Sequence, residues 1–248
     1  MEEELPVMTI ILSVLILASY LFTTCTVEIL LGLPCPQNKL VHYEHLLGFI
    51  PARPTIYSLV TYTLIHKDIL HLASNLVILV IAGMAIEKHI GKFTFFEIFI
   101  ASGCIAAIFD TLSRFLLGIS MSYPFVGASG AIFGLIAVAA LSKPMEKIPT
   151  FLVALTLLPF AQLVVGIPEL ADQKVFLSVL IFSAALLIII LYTLPHYLPV
   201  FVATLIFIFS WIMFLIFSPP MSISNIGHLG GLVGGIIFMF AFPREERT

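Results

Sequence analysis

Charge is what this chain most lacks. Only 10% of its 248 residues are Asp, Glu, Lys or Arg and 60% are hydrophobic, whereas about a quarter of a soluble globular domain is charged. That balance excludes a water-soluble fold and predicts an integral membrane protein. Blocks of Lys or Arg are missing too, and the formal net charge is −3, so there is no electrostatic footprint for nucleic acid. Cysteine is scarce. Cys25, Cys35 and Cys104 are three, with nine residues between the first two, and neither a disulfide framework nor a zinc site follows from that spacing. The opening Met1-Glu2-Glu3-Glu4 lacks the positive region of a secretory signal and the Arg-rich character of a transit peptide, so the first helix is expected to be retained. The polar and apolar alternation of a lipid-facing barrel is absent as well. Unbroken runs of Leu, Ile and Phe predict an all-α, polytopic helical bundle instead.

Each crossing of the hydrocarbon needs about 20 apolar residues. Candidate spans fall near residues 5–31, 69–87, 93–116, 127–142, 149–167, 175–193, 198–217 and 225–242. The loop from Gly32 to Asp68 is the longest polar-containing segment, too short for a separate domain, so residues 1–248 are read as one membrane-embedded unit. With the N-terminus cytoplasmic, the short inner connections carry Lys88, Lys92, Lys143 and Lys147 and the inner tail carries Arg244 and Arg247. The excess of positive charge in short loops favours that orientation.

One span is conspicuously short. The run from Ala128 to Leu141 holds 14 residues, about two-thirds of what a crossing needs, and Lys143 and Lys147 mark its inner end as the membrane surface. Its outer end must therefore begin below the opposite surface, and the loop with Met121, Ser122, Tyr123 and Pro124 must dip to meet it. Irregular backbone at that depth is tolerated only against protein or water. Ser129, in the first turn of this helix, is thus expected to be recessed and hydrated, surrounded by N–H groups without intrahelical partners that would stabilise a negative oxygen. His228 opens the last apolar run, 99 residues further on, with three predicted spans between the two helices. An odd number makes those helices parallel and brings Ser129 and His228 to one depth on one side. Gly130 and Gly134 on one helix, and Gly227, Gly231 and Gly235 on the other, have the four-residue spacing that lets backbones approach. Phe133, one turn below Ser129, is placed to support the imidazole. An ionisable group inside a membrane is costly and points to function; a serine and a histidine at matching depth point to nucleophilic catalysis.

His71 and Asn75 are four residues apart, on one face at the outer end of the second long helix. Both are suitable donors to a developing oxyanion, each such donor being worth about 2.7 to 4 kcal/mol of transition-state stabilisation. Through His71-xxx-Asn75, the Gly127-Ala128-Ser129-Gly130 element and His228-xx-Gly231-xxx-Gly235, the chain resembles the rhomboid family of intramembrane serine proteases. The resemblance implies Ser129 as nucleophile, His228 as general base, and His71, Asn75 and the Ser129 N–H as the oxyanion hole, with Gly127 lining the strand where substrate pairs. It implies transmembrane proteins as substrates, the lipid bilayer as the surroundings, and no cofactor or metal. His66 and Gly83-xxx-Glu87-xxx-Gly91 also resemble family positions and are read as structural.

Three departures stand out. The Trp-Arg pair often found in the family's first loop is absent, since the one tryptophan is Trp211 and Arg53 precedes Pro54. Gly227 stands where an alanine is usual. Two helices are added to the six-helix core. Asp110 and Arg114 form an i, i+4 pair expected to be a structural ion pair. His42-Tyr43-Glu44-His45 does not have the spacing of a zinc helix. Two other readings compete with a protease: a transporter in which the short helix is a broken one and His228 a proton relay, and a rhomboid-like protein that binds membrane clients without cutting them.

Overall fold

A computed structural model describes residues 5–155, 192–217 and 224–241. The chain is an all-α bundle, as expected. Helix α1 (Val7–Thr23), the short α2 (Thr26–Leu30), α3 (Lys39–Leu47), α4 (Ser58–Thr61) and a 3-10 turn at Tyr62–Leu64 precede the long α5 (Ile69–Ile90) and α6 (Lys92–Leu117). Then come α7 (Ser129–Ser142), strand β1 (Lys147–Pro149), the start of α8 (Thr150–Leu155), strand β2 (Tyr197–Pro199), α9 (Val200–Phe217) and α10 (Ser224–Ala241). Among the described residues α5 and α6 are the helices long and apolar enough to cross a bilayer by themselves. The predicted span at 175–193 lies outside the described residues except for its last two positions, and most of that at 149–167 does as well.

Two predicted segments need correction. The first apolar run, expected at 5–31, is one helix only as far as Thr23: Thr24 turns to extended backbone, its hydroxyl and that of Thr23 donate back to the Tyr20 and Ser19 carbonyls, and the chain then turns into α2. The Gly32 to Asp68 segment, read as a loop, holds α3 and α4. Lys39, at the start of α3, donates to the Thr24 carbonyl and pairs with Glu28, and Cys25 and Cys35 form a disulfide with Cα atoms 5.5 Å apart. The linear spacing left that bond open; Gly32, at φ +67°, helps turn the chain after α2 so that the two cysteines meet.

Helix directions follow from contacts at both ends of the bundle. Glu87, near the end of α5, accepts from the Met8 and Thr9 N–H groups at 2.6 and 2.8 Å, so α1 and α5 are antiparallel. The carboxylate satisfies two N–H groups at the start of α1 that have no helical partner. Lys88 and His89 reach Glu146, just beyond α7, so α5 and α7 run the same way. At this end β1 pairs antiparallel with β2, Ile148 opposite Leu198. That ladder is a small departure from an all-helical chain, and it has a topological effect. The chain leaves at Thr150 and comes back to the same end at Tyr197, so α9 alone carries it across before α10. Helices α6, α7 and α10 form the most tightly associated trio. The core lies among α1, α5, α6 and α7, with Ile16, Leu79, Ala82, Ile86, Phe95, Phe99 and Leu135 at its centre.

Candidate active site

α7 is 14 residues long, about 21 Å at 1.5 Å per residue and short of the roughly 30 Å hydrocarbon core. It starts at Ser129, after Ala128, and no side chain caps it. The N–H groups of its first turn are therefore not taken by a capping oxygen. The Ala128 N–H is engaged separately, donating to His66 Nε2 at 3.4 Å, while the other nitrogen of that buried ring lies 3.4 Å from the Leu64 carbonyl.

α10 runs alongside α7, in the same direction, over most of its length. A Cβ on Gly231 would collide with the Gly130 carbonyl, and one on Gly235 with the Gly134 carbonyl; at the far end Ser142 Oγ lies 3.5 Å from Met239 Sδ. Only glycine permits backbones this close. At the near end of this seam His228 Nε2 is 2.6 Å from Ser129 Oγ. The imidazole stacks on the Phe133 ring, with centroids 4.5 Å apart and planes within 4°, and Phe207 of α9 packs against the other ring at 4.8 Å. Phe133 stands where the helical spacing from Ser129 places it, whereas Phe207 lies far from the motifs along the chain and nothing in its position signals the contact.

Gly127 stands just ahead of Ser129 with φ +111°, a region that an L side chain rarely adopts. Its N–H donates to the Tyr62 carbonyl at 2.9 Å. A Cβ there would lie 2.7 Å from the His71 ring, so the imidazole rests directly on the Gly127 backbone. His71 also faces His66, centroids 4.9 Å apart. Asn75 is buried, and its Nδ2 donates to the His71 carbonyl at 2.9 Å; an amide nitrogen has a second hydrogen to give. Tyr62, fully buried, is a residue that the sequence did not single out. Its ring packs on Phe125 and its hydroxyl donates to the Gly103 carbonyl. The glycine at 227 also has a local reason. A Cβ there would sit 2.7 Å from Phe125 Cζ, so the phenylalanine ring occupies the space an alanine methyl would need.

The loop between α6 and α7 is tied on several sides. Phe125 and Phe49 exchange backbone hydrogen bonds, and the Ala52 N–H donates to the Met121 carbonyl. Asp110 and Arg114 do form the expected ion pair, Nε to Oδ2 at 2.7 Å, and both are buried. Arg114 Nη1 also donates to the Tyr123 carbonyl at 2.8 Å and to the Ser120 carbonyl at 3.3 Å, which helical spacing alone does not reveal. Among the described residues there is no cluster of His, Cys, Asp or Glu suited to a metal ion.

Comparison with known proteins agrees with the motif reading. A family model described as Rhomboid domain matches residues 53–173 and 174–245. The chain is 37% identical over 90 residues to "Rhomboid-like protein 11, chloroplastic" of Arabidopsis thaliana, a match covering 36% of this chain and 30% of that protein. It is 34% identical over 82 residues to "Putative rhomboid protease YdcA" of Bacillus subtilis, over 33% of this chain and 39% of that one. The chain thus spans only 30% and 39% of these two relatives' own length. No solved structure matches.

Proposed function

The chain belongs to the rhomboid family and is a membrane-embedded helical bundle; from that premise we propose that it is an intramembrane serine protease cutting single-span membrane proteins in or near their transmembrane segments. The observation that carries this reading is the 2.6 Å contact between Ser129 Oγ and His228 Nε2, made by residues 99 positions apart in the chain. A contact of that length is within the reach a nucleophile and its base require.

In the proposed reaction the Ser129 hydroxyl donates to His228 Nε2, which takes its proton as Oγ attacks a peptide carbonyl. The carbonyl oxygen becomes an oxyanion beside the start of α7, where the Ser129 N–H and the helix dipole favour negative charge. His71 and Asn75 add side-chain donors. His228 returns the proton to the leaving amine, and water, activated by the same imidazole, releases the acyl-enzyme. Phe133 holds the imidazole plane while it gains and loses a proton. A substrate helix has its amides bonded internally, so the segment to be cut has to unwind first, and residues of low helix propensity ease that step.

Orientation belongs to the same proposal. Disulfides persist in oxidising compartments, and Cys25–Cys35 lies at the end of the bundle that holds the starts of α5, α7 and α10. Together with the loop charges this supports a cytoplasmic N-terminus and a site opening to the opposite side.

The test is labelling of the detergent-purified chain with a fluorophosphonate and incubation with a single-span substrate. Ser129 is expected to be the one serine labelled, and Ser129→Ala and His228→Ala are each expected to abolish cleavage. Labelling that persists in Ser129→Ala would sink the assignment. Substrate capture without cleavage by the wild-type chain would favour a non-proteolytic client-binding role.

A further inference from the structure

A reaction at Ser129 requires the backbone just ahead of it to hold still. Gly118 to Ala128 connect α6 to α7 without regular structure, and this connection delivers both Gly127 and Ser129. Its later part is tied by backbone bonds, Phe125 to Phe49 and Gly127 to Tyr62. Its earlier part, Ser120 to Tyr123, has one such bond, from the Ala52 N–H to the Met121 carbonyl, and is otherwise held by a side chain. Arg114 donates through Nε to Asp110 and through Nη1 to the Tyr123 and Ser120 carbonyls. Asp110 is 0% exposed and Arg114 3%.

An ion pair buried this deeply is a costly way to stabilise one helix, because desolvation offsets much of the attraction. The arrangement makes better sense as a clamp. A guanidinium is a rigid fork, able to hold a carboxylate on one edge and carbonyls on another, and burial strengthens each of these hydrogen bonds. We propose that Arg114 is a positioning residue for cleavage: pinned by Asp110, it grips the Ser120 and Tyr123 carbonyls and so sets the course of the loop that leads to Gly127 and Ser129. This rests on the protease reading above. It assigns the clamp to the substrate-facing backbone and not to the Ser129–His228 pair, which α7 and α10 hold through their own packing.

The experiment compares the purified full chain with Arg114→Gln, Arg114→Lys and Asp110→Asn at a temperature where all are folded. Amide exchange at Phe125 and Gly127 should speed up about 10-fold or more in Arg114→Gln, because both lie in the clamped loop and their hydrogen bonds open when it loosens. Cleavage of a single-span substrate should lose about 10-fold in kcat/KM, mainly through a higher KM, while fluorophosphonate labelling of Ser129 stays within about 3-fold. Arg114→Lys should recover part of the loss, since an ammonium keeps the charge but not the fork. Unchanged exchange, or kcat/KM within about two-fold of wild type in folded Arg114→Gln, overturns the proposal. So does a parallel fall in labelling and cleavage that tracks the folded fraction, which is what a purely structural ion pair would give. A wild-type chain that neither labels nor cleaves overturns the protease reading instead, and amide exchange then decides by itself whether the clamp exists.

Discussion

His71 and Asn75 are where a catalytic and a structural role are hardest to separate, because both do structural work already. The His71 ring lies on Gly127 and the Asn75 amide bonds the His71 carbonyl within its own helix. If that is all they do, Asn75→Ala should lower thermal stability and leave the turnover of the folded fraction nearly unchanged, since transmembrane hydrogen bonds average only about 0.6 kcal/mol. If they stabilise the oxyanion, each folded alanine variant should lose about 10²-fold or more in turnover. The Asn75→Ala, His71→Ala double variant should lose less than the product of the two, because donors to one oxygen act as a unit. The oxyanion role is the expected outcome, and near-normal turnover by the folded double variant would count against it.

Among the elements, the shortness of α7 has the largest consequences. Its far end is held at the bundle end where Glu146 receives Lys88 at 2.7 Å and His89 at 3.1 Å. Partial burial alone would raise the Glu146 carboxyl, but the hydrogen bonds from Lys88 and His89 outweigh it and hold the pKa below the ordinary 4.5. A carboxyl with a depressed folded-state pKa contributes stability that is present above its unfolded value and is lost as pH falls through the folded one. Wild type should therefore melt slightly higher than Glu146→Gln near neutral pH, and the difference should start to shrink as pH falls below the ordinary carboxyl value of 4.5 and vanish below the depressed folded-state value. The gain is small because the pair is partly solvated, with the Lys88 side chain 45% exposed. Thermal melts across that pH range check it, and a difference that persists well below the carboxyl range would mean that the interaction is not ionic.

At the scale of the whole molecule, the proposed orientation makes a prediction about the disulfide. In intact cells carrying the full chain, Cys25 and Cys35 should resist a membrane-impermeant maleimide until a membrane-impermeant reductant is added, and should then label from outside. Labelling without reductant would argue against the disulfide. Labelling only after the cells are opened would place the first loop, and with it the proposed site, on the cytoplasmic side.

The order of the motifs, the 14-residue length of α7 and the glycines of the α7–α10 seam were legible in the sequence because each rests on a local rule: hydrocarbon thickness, helical spacing and the absence of a Cβ. These rules act on residues that are neighbours along the chain, so Ser129, His228, Phe133 and the Asp110–Arg114 pair could be picked out without coordinates. The Cys25–Cys35 bond, the contacts of Arg114 with the Ser120 and Tyr123 carbonyls and the packing of Phe207 on Phe133 could not, since each joins groups that only the folded backbone brings together. Parity is the clearest case. A count of hydrophobic runs predicted that α7 and α10 are parallel, but the count was sensitive to how residues 175–217 were divided. The antiparallel ladder of β1 with β2 removes that dependence, because a chain that leaves and re-enters the bundle at one end leaves α9 to decide the direction of α10. Hydropathy measures how apolar a segment is. Where its two ends meet is decided by backbone hydrogen bonds, which hydropathy does not register.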